Sequence, residues 1–293
     1  MIPHEPPKVL LLGNGLLRLG SGWSWNQLLS GIGGKNYTDE ELDGVPFCMQ
    51  PELYCDAGAE KIRKEAAKKI GESITLTPQL KRLLSLDFDC IITTNYTYEA
   101  EHILTGGKWN DARRRKALRV CDGSPRVQNN VSICYEFKRD GRQPLQVWHI
   151  HGDAMRHSTL ILSYYSYTKQ MHKLQTYNEL LKDDIEQAQN TGKDLPVRSW
   201  LDWFLTGDVY TVGYGFDFAE IDMWWALERK KRSHAKVGTL HHCCIEEEGA
   251  KPHIRMMMEA MGGEYRAFRK EKDMSWGQMY DRVIDEVEKE IER

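Results

Sequence analysis

The sequence predicts an α/β protein in which a mostly parallel sheet carries helices on both faces, with helical insertions. Short apolar runs at 9–12, 90–94 and 209–212 have the composition of strands that are buried on both faces. Helix-capping signals stand between and after these runs; Ser24 and Ser275 are each followed three residues later by glutamine. Strands that alternate with helices favour a parallel sheet, because each helix returns the chain to the same edge.

In chain order, the predicted strands are 9–12, 90–94, 131–137, 146–151, 159–162, 209–212, 239–245 and 266–268. The predicted helices are 25–32, 57–70, 78–86, 98–104, 167–188, 199–205, 218–231, 252–261 and 275–290. An Asp-Gly turn signal at Asp140 favours a hairpin between the third and fourth strands. We therefore expect one domain over 1–293, with insertions at 31–73, 105–142 and 163–198 that do not fit the simple alternation.

Composition narrows the possible function classes. The chain has 293 residues, 28% of them charged, and a net charge of −3, which gives no basis for a broad electrostatic attraction to nucleic acid or to an anionic membrane. The first residues carry only a short apolar run, so we expect neither a signal peptide nor a membrane span there. Seven cysteines without C-x-x-C spacing are expected to be free thiols, which favours a cytoplasmic location.

Two polar residues stand at the predicted ends of two strands. Asn95 follows the strand 90–94, and His151 ends the strand 146–151. In an open α/β sheet, ligands bind at the carboxyl ends of the strands, so an uncharged amide and an imidazole could meet there over one ligand. Each residue also has a simpler interpretation, since asparagine is common in turns and a strand-end histidine can be purely structural. The position of both at ends of the same sheet favours a functional role.

A glycine-containing loop follows the first strand. Gly13, Asn14 and Gly15 form a turn that allows backbone N–H groups to approach a phosphate. The spacing is not the dinucleotide-binding fingerprint, because Arg18 stands where the third glycine would be required. The loop is therefore either a plain tight turn or a phosphate-binding loop. In the second case the guanidinium of Arg18 could pair with a diphosphate.

A metal site is the rival interpretation of the same region. His149, His151 and Asp153 have the spacing H-x-H-x-D, and the two histidines would share a face if the strand continued through them. A metal-dependent hydrolase would need further ligands, for which the candidates are His102, His157 and His172. The run 241–246 contains His, Cys and Glu side by side, but neighbouring residues of a strand point to opposite faces. No metal is expected at that run.

Four segments together resemble a known family. GNGLLRLGSGWSWNQLL, TTNYTYEAE, WHIHGD and VGYGFDFAEIDMWWAL follow the order of conserved segments in sirtuin-like domains, and the likeness spans residues 9 to about 227. The pattern is similar to the divergent bacterial sirtuin-like branch. The chain lacks the G-I-P-D-F-R segment and the two C-x-x-C pairs of deacylating sirtuins. The resemblance therefore implies an NAD-binding domain without the zinc module.

The resemblance implies a Rossmann-like sheet and NAD⁺ glycohydrolase activity, the cleavage of NAD⁺ to nicotinamide and ADP-ribose, in bacterial antiphage defence. It implies that Asn95 holds the nicotinamide ribose or the attacking water and that His151 acts as general base. The NAD-binding residues that it implies are Gly13, Asn14, Gly15, Arg18, Thr94, Asp153, Gly213, Gly215 and Asp217. A homo-oligomer or a partner protein of a defence system is the expected assembly.

The sequence is also compatible with other functions. The chain could be a non-catalytic sensor of NAD or ADP-ribose, an assembly subunit, or the metal-dependent hydrolase described above. An enzyme that destroys NAD⁺ would harm its own cell if it were always active, so a gate is expected. The polar segment 167–188, interpreted as a lid or an inserted helical pair, and the basic run 113–116 are the candidates for it, although a solvated surface is the simpler interpretation.

Overall fold

The computed structural model describes residues 6–20, 23–54, 59–70, 74–122, 129–191, 197–232, 238–247 and 252–292 of the chain. Eight strands form one sheet: β1 (Lys8–Leu12), β2 (Cys90–Thr93), β3 (Leu118–Val120), β4 (Ile133–Phe137), β5 (Leu145–His149), β6 (Asp208–Val212), β7 (Leu240–Glu246) and β8 (Glu264–Arg269). Their order is β3-β4-β5-β2-β1-β6-β7-β8. Neighbouring strands pair in parallel from β5 through β2, β1, β6 and β7 to β8. Strand β4 is antiparallel to both of its neighbours, β3 and β5.

The strand order defines where a ligand can enter. From β1 the chain builds outward through β2 and β5 on one side, and then returns to build through β6, β7 and β8 on the other. This is the order of a doubly wound Rossmann-like sheet. The direction reverses between β1 and β6, which leaves a crevice at their carboxyl ends. Leu12 and Val212 are paired at that point, so the glycine loops that follow both strands lie side by side.

Thirteen helices are described: α1 (Asn14–Leu17), α2 (Trp25–Gly33), α3 (Asp39–Leu42), α4 (Pro51–Tyr54), α5 (Ala59–Ile70), α6 (Pro78–Ser85), α7 (Glu99–Leu104), α8 (Asp111–Ala117), α9 (Tyr164–Thr191), α10 (Trp200–Thr206), α11 (Ile221–Lys231), α12 (His253–Ala260) and α13 (Trp276–Ile291). One core cluster joins α1, α6, α7 and α13 to one face of the sheet. A second cluster joins the helices α9, α10, α11 and α12 to the other face. The predicted α/β architecture with helices on both faces is therefore confirmed. Among these helices, none has both the length and the apolar character needed to cross a lipid bilayer.

The predicted strand at 159–162 is wrong. Residues 154–159 form a 3-10 helix that Asp153 caps, and the following residues do not join the sheet. Leu160 and Leu162 are buried against Leu28 of α2 and Ile62 of α5. The apolar pattern therefore reflects packing onto helices, which a short alternating run cannot distinguish from a strand.

The three predicted insertions have different structures. Residues 31–73 contribute short helices and α5, whereas residues 105–142 contain α8, β3 and β4 and thereby extend the sheet. The hairpin predicted across Asp140 is confirmed as the antiparallel pair of β4 and β5. Residues 164–191 form one continuous helix, so the predicted helical pair is wrong. Leu174 and Tyr177 of this helix lie in the core, so α9 is part of the fold along its first half.

Lys230 of α11 is a buried lysine that binds the carbonyl groups at the end of α10. It is buried, and its ammonium donates to the carbonyl oxygens of Phe204 (2.9 Å), Leu205 (3.2 Å) and Gly207 (2.6 Å). These carbonyls belong to the end of α10, where helical partners run out. We expect Lys230→Met to lower the free energy of unfolding by about 3 kcal/mol, because it leaves buried carbonyls without donors.

Urea unfolding measures this loss. The control is Lys231→Met on the same helix, which removes one exposed contact to the carbonyl of Ala260. Exposed contacts of this kind contribute less than about 1 kcal/mol. A Lys230→Met variant as stable as the control would show that the buried ammonium is not needed at the end of α10.

Candidate functional site

The crevice between β1 and β6 is closed at its base by glycine packing. The backbone N–H of Gly13 donates to the Val212 carbonyl (2.9 Å), and that of Gly15 donates to the Gly213 carbonyl (2.7 Å). A Cβ atom on Gly13 would lie 2.3 Å from the Gly213 oxygen, and Gly213 has a φ of +69°. The glycines thus allow two loops to touch. Since the N–H groups of Gly13 and Gly15 are already used, a phosphate here would have to bind other donors.

Asn14 and Arg18 lie on the solvent side of this loop. Both are exposed, and the side chain of Asn14 donates to the Trp23 carbonyl (2.8 Å). The charge of Arg18 acts on Tyr280 of α13: burial raises the pKa of Tyr280 to about 12, while Arg18 opposes the increase. Arg18 therefore lies near Tyr280 and remains accessible to an anion.

Asn95 lies in the loop after β2, and its backbone is held firmly. Its N–H donates to the hydroxyl of Thr93 (3.1 Å), which itself donates to the Leu12 carbonyl (2.9 Å) and so ties β2 to β1. Asn95 is only 7% exposed, and its side-chain nitrogen is buried without a hydrogen-bond partner. A buried donor without a partner is costly, which makes it a group that a ligand can satisfy. Thr94, which lies between Thr93 and Asn95, is half-buried.

His149 supports this loop from behind. Its Nδ1 lies 2.8 Å from the Asn95 carbonyl oxygen, and its Nε2 lies 2.7 Å from Glu101 of α7. A carbonyl oxygen and an ionised carboxylate can only accept, so beside an ionised Glu101 both ring nitrogens carry protons and the ring is an imidazolium. Burial is the largest single influence on the pKa of His149 and would lower it. The charge and hydrogen bond of Glu101, with smaller contributions from Asp153 and the Asn95 carbonyl, together raise the pKa above its usual value. The result is a buried ion pair that fixes the position of Asn95.

His151 faces a different partner. Its Nε2 lies 2.9 Å from Asp222, in the first turn of α11, and the two residues are 2% and 0% exposed. Burial would lower the pKa of His151, but the charge and hydrogen bond of Asp222, together with the charge of Glu220, raise it above the usual value. Because the carboxylate accepts from Nε2–H, Nδ1 is the nitrogen left to take a proton. The ring of Tyr167 covers His151 edge-on, with centroids 5.4 Å apart.

The two predicted site residues, Asn95 and His151, occupy neighbouring loops. Strands β2 and β5 are adjacent and parallel, with Thr93 opposite His149, and the N–H of Ile150 donates to the Thr93 carbonyl (3.0 Å). Each site residue comes two positions after the last residue of its strand, so both loops leave the sheet at the same edge. The sequence placed the end of β5 two residues too late, at His151.

Glu220 is a site residue that the sequence interpretation missed. It immediately precedes α11 and is partly exposed. Burial of the carboxylate raises the pKa of Glu220 to about 7, although the positive charge of His151 acts against this. The available signal was the pair of acidic residues, Glu220 and Asp222, at the start of a helix whose first turns are otherwise apolar, just after the β6 glycine turn. Of the acidic residues in this segment, only Asp217 was predicted as a binding residue.

The remaining predicted binding residues have local structural contacts. Asp153 is fully buried; it accepts from the Tyr98 hydroxyl, from Arg156 Nε (2.6 Å) and from the Tyr135 hydroxyl (3.3 Å). These hydrogen bonds already occupy the carboxylate oxygens of Asp153. Asp217 accepts from the Ala219 N–H (2.8 Å) and so shapes the turn before α11.

Gly215 is exposed, and an added side chain would meet open space. Packing therefore does not explain a glycine at this position, in contrast to Gly13. The residue lies in the turn after β6, on the exposed side of the crevice. A ligand could approach its backbone there without obstruction.

The H-x-H-x-D pattern does not converge on one point. His149 is turned toward α7 and His151 toward α11, since β5 ends at His149 and strand alternation stops there. Both nitrogens of His149 are engaged, and Asp153 is saturated by its neighbours. Within the described ranges, no group of three or more His, Cys, Asp or Glu residues could hold a metal ion. The expectation that the two histidines share a face is therefore wrong.

Known proteins add no further constraint on this site. No protein-family model matches the chain, and no curated protein matches it.

The proximity of Glu220 and His151 has a measurable consequence. The negative charge of Glu220 raises the pKa of His151, so Glu220→Gln should lower the pKa of His151. Titration of the histidine side chain by NMR measures this shift, with the His151 signal assigned by its loss in His151→Asn. The control is Glu179→Gln, an equal charge change at an exposed position of α9. An unchanged His151 pKa in Glu220→Gln would place the two charges too far apart to interact.

Proposed function

We propose that this protein is an NAD⁺ glycohydrolase, which cleaves NAD⁺ to nicotinamide and ADP-ribose. The observation that carries the proposal is that His151, paired with Asp222 of α11, and the unpartnered side-chain nitrogen of Asn95 are both buried in adjacent loops. Both groups stand at the carboxyl edge of a doubly wound sheet, where such folds bind nucleotides. The four sirtuin-like segments contribute these same residues, which supports the choice of NAD⁺ as substrate.

In the proposed reaction, the bond between the nicotinamide nitrogen and ribose C1′ breaks, and nicotinamide leaves with the bonding electron pair. The ribose passes through an oxocarbenium-like state, and a water molecule adds to C1′. Nδ1 of His151 takes the proton of that water or of a ribose hydroxyl, and Asp222 stabilises the imidazolium that forms. The side-chain amide of Asn95 donates to the ribose or to the water and so orients the reacting groups.

The rest of NAD⁺ would occupy the crevice between β1 and β6. Arg18 supplies a positive charge for the diphosphate. The open backbone at Gly215 and the nearby Asp217 accept the adenosine half. Antiphage defence, and assembly with further copies or with a partner protein, belong to this proposal through the sequence resemblance alone. No metal ion takes part in it.

The closed state of the site is consistent with a gated enzyme. Asn95 and His151 are both buried, whereas a ligand of this size needs a cleft of several hundred Å³. The cover includes Tyr167 at the start of α9, and the adjoining Tyr164 N–H donates to the Cys48 carbonyl (2.6 Å). Movement of this cover would admit NAD⁺. The same closure also favours a second candidate function, an NAD⁺ or ADP-ribose sensor that binds without turnover.

Isotope labelling separates these two functions. NAD⁺ is incubated with the protein in H₂¹⁸O, and the products are examined by mass spectrometry. The proposal predicts free nicotinamide together with ADP-ribose that carries one ¹⁸O at C1′. Binding of NAD⁺ without either product would support the sensor. Release of nicotinamide without ¹⁸O in ADP-ribose would mean that a group other than water attacks C1′, and would contradict hydrolysis.

A further inference from the structure

A small cavity lies beside the loop of His151 but shares no residue with the candidate site. It has a volume of about 110 Å³ and is lined by α5, by Asn129 and Asn130, by residues 158–161 at the end of the 3-10 helix and by the first half of α9. Its lining includes three basic side chains, Arg63, Lys169 and Lys173, and among the residues that line it there is no carboxylate. Asn95, His151, Glu220 and Asp222 do not line it.

We propose that this cavity binds a small anion of the phosphate class, either inorganic phosphate or the phosphate group of a monoester. Arg63 on α5 and the two lysines on α9 converge on it from two helices. Three cations around one small volume match the charge of such an anion and provide N–H donors for its oxygens. This site does not rest on the proposed NAD⁺ reaction.

The two lysines of α9 lie close enough to repel each other. Lys169 and Lys173 are four residues apart on α9, a spacing at which like charges repel. Burial lowers the pKa of Lys173, and the charge of Lys169 lowers it further. A bound phosphate would reverse the sign of the local potential and favour the charged form of both residues.

Unsatisfied polar atoms at the cavity point to the same ligand. Nε of Arg63 is buried without an acceptor. Asn130 is 4% exposed; its side-chain nitrogen donates to the Thr159 carbonyl (2.8 Å), while its side-chain oxygen is buried without a donor. Hydrogen phosphate offers both what Arg63 needs, a charged oxygen, and what Asn130 needs, a P–OH group. Near neutral pH, sulfate lacks that donor, and a phosphate monoester carries it only in its minor, singly charged form.

The size of the cavity limits the ligand. A water molecule occupies about 30 Å³ of the liquid, so the cavity holds a phosphate group and little more. NAD⁺ itself is far too large. The cavity wall is also bonded to the loop of His151: the Ile161 N–H donates to the His151 carbonyl (2.9 Å), and Gln170 donates to the Ile150 carbonyl (3.2 Å). An anion at this position would therefore stabilise the residues that support the His151 loop.

The test is calorimetric titration of the whole protein near pH 7 with sodium phosphate, at constant ionic strength set with chloride. We expect saturable binding of phosphate, with sulfate weaker because it cannot donate to Asn130. Lys169→Gln, an exposed position that should not disturb folding, is expected to raise the dissociation constant about tenfold. Lys68→Gln on α5 is the matched control, since it removes the same charge outside the cavity, and it should leave binding unchanged.

Glycerol 3-phosphate in a parallel titration distinguishes the two sources of the phosphate group. Tighter binding of the ester assigns the site to an organic phosphate, and tighter binding of phosphate assigns it to the free ion. Absence of saturable binding by both compounds would overturn the proposal. So would equal affinity in the wild type and in Lys169→Gln.

Discussion

Replacing His151 with alanine is expected to lower the rate of NAD⁺ cleavage by about 10²–10⁴, the usual contribution of a positioned acid–base group. Asp222→Asn should have an effect in the same range, although Asp222 lies behind the histidine. The carboxylate accepts from Nε2 of His151 and thereby leaves Nδ1 free to take a proton. An asparagine can present its NH₂ group to Nε2 instead, which would place the proton on the wrong nitrogen. Asn95→Ala should also fall in this range, because it removes the buried donor.

Initial rates of nicotinamide release measure these effects, with circular dichroism and thermal unfolding to show that each variant is folded. His172→Ala is the matched control, since it removes an exposed histidine from α9. The pair is expected to act as a unit, so the double variant His151→Ala, Asp222→Asn should lose little more than either single variant. Wild-type rates in folded His151→Ala would rule out the proposed base. Full activity in Asp222→Asn would limit Asp222 to a structural role.

The second large effect is expected on stability, at the His149–Glu101 pair. Both residues are fully buried, and Glu101→Gln removes the charge that is hydrogen-bonded directly to the His149 imidazolium. Breaking a buried pair by removing one partner leaves an uncompensated charge, so we expect a loss of about 3 kcal/mol in the free energy of unfolding. The Asn95 loop should loosen at the same time, because His149 holds its carbonyl.

The pH dependence of this loss has a definite sign. The pKa of His149 is raised in the folded protein, so the pair stabilises fully below the unfolded pKa of about 6.5 and less as the pH rises through the folded pKa. The stability difference between wild type and Glu101→Gln should therefore be larger at about pH 6 than at about pH 9. Urea unfolding at both pH values measures it.

A double variant controls for packing at this pair. His149→Leu combined with Glu101→Met removes both charges, and hydrophobic replacement of a whole buried pair is often close to neutral. The double variant should thus lose less stability than the two single substitutions added together. Strict additivity, or a pH-independent effect of Glu101→Gln, would contradict a charged His149.

Most of the sheet could be predicted because its signals are local. The run 90–94 is apolar and β-branched and becomes β2, and the caps at Ser24 and Ser275 begin α2 and α13 as expected. The edge strands were harder, since β3 is short and lies within a region interpreted as an insertion. The run 159–162 failed because burial against helices produces the same apolar pattern as burial in a sheet.

The site could be predicted only in part. Asn95 and His151 were predicted because each follows a recognisable strand. Their partners could not be assigned, since Asp222 reaches His151 across 71 positions of sequence and no local pattern reports such a contact. The roles of His149 and His151 depend on where β5 ends, and a boundary error of two residues merged two different environments into one apparent metal motif. The pKa of Glu220 depends on burial, which appears only in the folded chain.

Catalytic turnover of NAD⁺ at His151 is tested most directly by the amount of nicotinamide released per molecule of purified protein. The protein is incubated with excess NAD⁺ over a range of protein concentrations, and nicotinamide is quantified by chromatography alongside His151→Ala. We predict that the wild type releases many molecules of nicotinamide per protein molecule, and that the variant releases about 10²–10⁴ times less in the same period. NAD⁺ that stays intact with the wild type at every protein concentration would contradict the account.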